Sequence, residues 1–219
     1  MSAIPDFDAA YRGEAITEGL EMVPWNIGEP QPPIAALIAD GQVASPVLDA
    51  GCGVGATTLD LTARGYEAVG LDSSSAAIAA ARRTAAERGL DAEFAVADIT
   101  AFTGYDGRFA TVIDSTLFHS MPVEARSDYL RAVARASRPG AVLHVLVFDV
   151  TALFPEGVGP NCVTASELRD EVEPFWDVDR IGHSAIHARI PPEWAPDLPS
   201  DAAGRRLYPA HLLTAHLPG

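Results

Sequence analysis

The sequence predicts a doubly wound α/β fold, with a seven-stranded, mainly parallel sheet and an N-terminal helical cap. From residue 46 onward, short β-type runs alternate with longer helical ones, the order expected of parallel strands joined by helical crossovers. The first run opens into a glycine turn, Gly51-Cys52-Gly53-Val54-Gly55. Two further runs end in an acid, Asp72 and Asp98, at the edge where such sheets hold ligands.

Residues 1–45 are too short and too often broken by proline to form a domain of their own, and predict a cap segment. A helix is expected over Pro33–Asp40, with Tyr11, Trp25 and the turn Asn26-Ile27-Gly28 covering the sheet edge. The domain proper then runs over 46–219. Its strands are predicted over Pro46–Ala50, Glu67–Leu71, Ala92–Ala97, Phe109–Asp114 and Ala141–Phe148, and its helices over Gly55–Arg64, Ser74–Arg88 and Glu124–Arg138. Serines able to cap open the second helix and Gly89 closes it; Pro139-Gly140 is the stop signal of the third. After Phe148 a helix is expected over Ala165–Glu173 and a strand within Trp176–Gly182. A proline-rich excursion, Pro191 to Pro209, then leads to a terminal strand around His211–Leu217, which completes seven strands.

A chain of 219 residues has room for one such domain. Its mean hydropathy is +0.11, and no apolar run reaches the roughly 18–20 residues of a membrane helix. The amino terminus lacks a basic segment followed by an apolar one, so no secretory signal is expected and the location expected is cytoplasmic. With 30 acidic against 15 basic residues, the surface is poorly suited to phosphate backbones, which excludes nucleic acid as the expected partner and points to a small molecule. Cys52 and Cys162 form no CxxC pair, which argues against a disulfide framework or a structural zinc. His183 and His187, four apart without a third ligand, read as residues on one strand face, so no metal is expected. His144, inside an apolar run, reads as a core histidine. Oligomeric state has no signature here.

The glycine turn lets a ligand lie directly on the backbone. Alone it is ambiguous, because Gly51, Gly53 and Ala56 also satisfy the dinucleotide pattern G-x-G-x-x-G/A. Asp49 favours S-adenosyl-L-methionine, whose ammonium and sulfonium suit a nearby carboxylate better than a pyrophosphate does; alternatively, Asp49 holds the loop by accepting backbone hydrogen bonds. Asp72, about twenty residues beyond the loop, is placed to bind ribose hydroxyls. Asp98 is placed to bind the adenine amine, although either acid also suits a helix cap or turn.

The segments VLDAGCGVG, VGLDSS and VADIT, in this order on three predicted strand ends, resemble the class I S-adenosylmethionine-dependent methyltransferases over roughly residues 20–150. The resemblance implies a Rossmann-like fold and a donor site formed by Asp49, Gly51, Gly53, Asp72 with Ser73, and Asp98 with Ile99. Pro24-Trp25-Asn26-Ile27-Gly28 with Gln31-Pro32, and Asp114-Ser115-Thr116-Leu117-Phe118-His119, are similar to the small-molecule, thiopurine-methyltransferase-like branch and, within it, to bacterial enzymes that methylate heterocyclic toxins such as hydroxyquinolones. This implies Trp25 as a donor contact or as a hydrophobic anchor of the cap.

Methyl transfer is a direct displacement that needs alignment more than a nucleophile. A base helps when the acceptor is protonated, and His119, just past the fourth strand, is the expected one; the alternative is a loop histidine that shapes the pocket. Asp114 is expected to support the donor's amino group through its backbone, or to fix the loop. Phe118, Phe154, Trp176 and Trp194 read as acceptor-pocket aromatics or as core. The Asn/Asp-Pro-Pro-aromatic turn of exocyclic-amine methyltransferases is missing after the fourth strand. Two rival readings remain. A nicotinamide-dependent oxidoreductase is disfavoured by Asp49, Asp98 and the long prelude; the other is a non-catalytic protein that binds the methyl donor.

Overall fold

Val47-Leu48-Asp49-Ala50 is buried along its whole length, as expected of a strand covered on both faces, and the sheet grows outward from it. In the computed structural model, which describes residues 7–12, 23–152, 154 and 160–219, the strands are β1 (Val47–Ala50), β2 (Ala68–Asp72), β3 (Glu93–Val96), β4 (Phe109–Ser115), β5 (Ser137–Phe148), β6 (Asp177–Ala188) and β7 (Arg206–His216). They lie in the order β3-β2-β1-β4-β5-β7-β6. β1 to β5 pair in parallel, and β7 runs antiparallel between β5 and β6. The order reverses between β1 and β4, which opens the ligand crevice at their carboxyl ends.

The helices are α1 (Phe7–Tyr11), α2 (Pro32–Ala39), α3 (Ala56–Ala63), α4 (Ser75–Arg88), α5 (Arg126–Ala136) and α6 (Ala165–Val172). On one face of the sheet Tyr129, Leu130 and Val133 of α5 and Leu168 and Val172 of α6 pack on Val112, Leu143 and Val145. On the other, Ile34, Leu37 and Ile38 of α2 pack on Val47, Ile113, Leu146 and Ile186. Each such side chain, fully buried, contributes about 1.5–3 kcal/mol. The helix expected as part of a cap is therefore a layer of the core. A third cluster joins Ile78, Ala81 and Ala85 of α4 to Leu59 and Phe94. Ser74 caps α4, its hydroxyl accepting from the Ala77 N–H at 3.0 Å, and Gly89 closes it in the left-handed conformation.

Several boundaries differ from expectation, among them the start of β5, which lies at Ser137 and not Ala141. α5 ends at Ala136, two residues before the predicted stop, because the Ser137 hydroxyl donates to the Val133 carbonyl at 2.7 Å and Ser137 already pairs with Phe109. β6 runs on to Ala188 and β7 begins at Arg206, so the two pair over almost their whole length. Pro209 is tolerated because β5 ends at Phe148, opposite Ala210; just beyond it the Pro209 carbonyl still accepts from Asp149 N–H at 3.1 Å, and the N–H that proline lacks falls past the end of the ladder. No helix among the described residues is long and apolar enough to cross a membrane.

Candidate active site

Gly51 and Gly53 follow β1 with φ of +67° and +54°, a conformation that glycine adopts without cost. They also lie where nothing larger fits. A Cβ on Gly51 would come within 2.9 Å of the Leu117 side chain, and one on Gly53 within 2.6 Å of the Tyr11 hydroxyl oxygen. Asp72 pins the turn: one carboxylate oxygen accepts from Gly53 N–H and the other from Ser74 N–H, both at 2.8 Å.

Two cavities adjoin here, and Tyr11, Trp25, Gly51 and Thr116 line both. The smaller, about 70 Å³, is bounded by Asp49, Gly53, Asn26, Glu29 and Gln31. The larger, about 300 Å³, is bounded by Asp72, Ser73, Asp98, Ile99, Leu117 and Met121. Trp25, Asp49, Gly51, Gly53, Asp72, Ser73, Asp98 and Ile99 thus come together around one cleft, although they span more than seventy residues of chain.

Asp49 is almost wholly enclosed, and one of its oxygens accepts from both the N–H (3.1 Å) and the hydroxyl (2.7 Å) of Thr58. The loop-holding arrangement is therefore present, while the residue still lines the cleft. Burial pushes its carboxyl up to about 6, against the Thr58 hydrogen bonds. Asp98 is exposed and accepts from the N–H and hydroxyl of Thr100, which hold its carboxyl low.

Asp114 lines neither cavity. Its carboxylate accepts from Leu117 and Phe118 N–H and from the Tyr129 hydroxyl, so the side chain fixes the turn after β4. Burial pushes it up to about 7. His119 is sealed within the protein and likewise lines neither cavity. It belongs to a chain of rings that starts at the cleft. Trp25 meets His119 and Phe148 edge to face at 6.5 and 6.4 Å, His119 lies 4.4 Å from Phe148, and Phe154 stacks on Tyr208 at 5.2 Å beside Phe148.

The other expected aromatics divide. Phe118 and Trp176 are fully buried core residues, whereas Trp194 is exposed. His144 bonds Thr214 and the Gln42 carbonyl in the interior, and burial pushes it down to about 4. His187 pairs with Asp201 at 2.8 Å, and His183 lies beside His211.

Some site residues escaped the sequence. Thr116 has φ +80°, a strained conformation for a β-branched residue that costs about 1–3 kcal/mol; its N–H donates to the Leu146 carbonyl and its carbonyl accepts from the Ser120 hydroxyl. No residue pattern announces this. Gln31, Glu29 and Asn26 reach the smaller cavity from the motif around Trp25, and there the motif itself was the available signal. Tyr11, expected only to cover the edge, stands over Gly53, and α1 is moored by Asp8, which accepts from the Ser74 hydroxyl (2.6 Å) and Ala76 N–H (3.2 Å).

Comparison with known proteins agrees with this geometry. Residues 47–140 match the family model of a methyltransferase domain. A curated 2-heptyl-1-hydroxyquinolin-4(1H)-one methyltransferase from Mycobacteroides abscessus is 53% identical over 183 residues, covering 83% of this chain and 81% of that protein. A structure concerned with the conversion of a disulfide bond into a thioacetal group during echinomycin biosynthesis superposes with TM-score 0.84 at 35% identity, over 97% of this chain and 92% of that one. A SAM-dependent methyltransferase from Methanosarcina mazei shares the fold, with TM-score 0.66 at 20% identity, over 83% of this chain and 97% of that one. The chain belongs to the class I S-adenosylmethionine-dependent methyltransferases.

Proposed function

We propose that the protein transfers a methyl group from S-adenosylmethionine to a hydroxyl oxygen of a small aromatic heterocycle of the hydroxyquinolone kind. One observation carries this reading: Trp25 lines both cavities and is backed by a cluster of packed rings, His119, Phe148, Phe154 and Tyr208, and an indole held in this way suits flat, apolar ligands. The relative from M. abscessus, named for a hydroxyquinolone, supports the same class.

The cleft suits the donor in its shape and its donor set. Asp72 and Ser73 would hold the ribose, Asp98 and Ile99 the adenine, and Gly51, Gly53 and Asp49 the methionine end, with Trp25 across both. Asp114 contributes by fixing the turn that carries Thr116 and His119, and His119 acts at the acceptor. Bound donor supplies an electrophilic methyl on a sulfonium. The chain's part is to align the acceptor oxygen with that methyl and exclude water. Incubating the protein and donor with a panel of hydroxylated and non-hydroxylated heterocycles, followed by mass spectrometry, tests this. Hydroxylated members should gain one CH₂; methylation confined to members without a hydroxyl would refute it.

A further inference from the structure

His119 has no exposed surface, yet its Nε2 has no hydrogen-bond partner. Its other nitrogen determines where the proton sits. Nδ1 lies 3.2 Å from the Phe148 backbone N–H. A peptide N–H can only donate, so Nδ1 accepts, and a neutral ring then carries its hydrogen on Nε2. The ring is neutral because burial pushes the imidazole down to about 3, with the Arg126 guanidinium acting in the same direction. Arg126, from α5, is the charged group acting on the ring, and it is itself engaged by Glu171 and the Asn161 carbonyl. The side chains of Phe148 of β5 and of Trp25 meet the imidazole with their aromatic rings, and a ring is a second-order partner for an N–H.

Nε2–H is therefore a buried donor that lacks an oxygen. Such groups are rare in native proteins and call for a partner. Trp25, which lines both cavities, packs edge-on against the imidazole, so an acceptor must displace the indole to reach Nε2. A general base needs a free lone pair at the reacting oxygen. His119 has none: one nitrogen's lone pair is taken by Phe148 N–H, and the other nitrogen carries the hydrogen.

We propose that His119 Nε2–H donates a hydrogen bond to the oxyanion of an acceptor that enters already ionised, so that the enzyme selects heterocyclic hydroxyls acidic enough to lose their proton to water near neutral pH. This rests on the acceptor class proposed above and replaces the expected base with a donor. The acceptor proton leaves for solvent before transfer. In the transfer itself an oxygen lone pair forms the O–CH₃ bond, the S–CH₃ bond breaks with its electron pair kept by sulfur, and His119 retains its proton. A site built to donate at this point also rejects analogues with no oxygen there, because the N–H is then left unpaired.

Nitrogen-15 NMR of the full chain with labelled histidine, saturated with S-adenosylhomocysteine, reads the tautomer without any turnover. The expected result is a neutral His119 with its hydrogen on Nε2 from about pH 5 to about pH 8. A hydrogen on Nδ1, or titration near neutrality, would overturn the proposal. Kinetics separate the two roles a second way, because His119→Gln keeps an N–H donor near the Nε2 position but cannot act as a base, whereas His119→Phe removes both functions. With acceptors of graded acidity, His119→Phe should lower kcat/KM by roughly 10- to 100-fold whatever the acceptor acidity, and His119→Gln should recover most of that loss. Equal losses in both variants, deepening as the acceptor becomes less acidic, would restore the base. If wild-type protein methylates no hydroxylated heterocycle, the acceptor class itself fails, and the tautomer measurement still stands apart from it.

Discussion

Asp49 and Asp114 are carboxylic acids kept from water, with burial holding them up to about 6 and about 7. A carboxyl raised in the fold binds its proton more tightly folded than unfolded, so the stability it contributes is lost as pH rises from about 4 through the raised value. Cationic donor at the smaller cavity reverses this for Asp49 by favouring its charge. Donor affinity should therefore rise about tenfold between pH ~5 and pH ~7, and Asp49→Asn should flatten that slope; calorimetry in which the variant keeps the wild-type slope would remove Asp49 from the donor site. At this scale Asp49, Asp72 and Asp98 were legible because a glycine turn and alternating runs locate strand ends, and an acid at a strand end has few places to point. The left-handed Thr116 and the proton of His119 were not. Both depend on partners distant in the chain, Leu146 for one and Phe148 for the other.

Among the elements, β1 to β4 and α3 to α4 fell close to their predicted places because capping serines, glycine stops and buried apolar runs are local signals. The β6–β7 hairpin did not, since its length follows from pairing across the proline-rich excursion. α1 is the element whose role the sequence concealed most. It is one short turn, and its position rests on Asp8, whose carboxyl is held low chiefly by the Ser74 hydroxyl. Asp8→Ala should free α1 and with it Tyr11 above the glycine turn, weakening binding of S-adenosylhomocysteine by roughly three- to tenfold with little change in thermal stability. Titration calorimetry and a melting curve on the same preparation check both parts, and unchanged affinity would make α1 a bystander.

Over the whole molecule, the segment carrying Trp25 is joined to the far end of the sheet chiefly by the Gln31 amide, beside the Arg189 N–H that donates to the Pro24 carbonyl at 2.8 Å. Gln31 donates to the Trp25 and His187 carbonyls, both at 2.9 Å, and accepts from His187 N–H at 2.8 Å, while Arg205 pairs with Glu29 and Asp201 close by. These contacts join residues more than 150 positions apart, which is why composition and periodicity indicated a segment over the cleft without showing what held it. Gln31→Ala leaves buried backbone groups unpaired and should cost about 2–3 kcal/mol in denaturant unfolding; a cost near zero would show the junction to be dispensable. The architecture thus brings a donor cleft, a strained turn and the ring of Trp25 to one edge of the sheet. The most direct test is incubation with 2-heptyl-1-hydroxyquinolin-4(1H)-one and donor carrying a deuterated methyl group, with the product read by mass spectrometry. The account predicts an intact CD₃ on the hydroxyl oxygen; a protein that binds donor by calorimetry yet leaves this and every other acidic hydroxylated heterocycle unlabelled would contradict it.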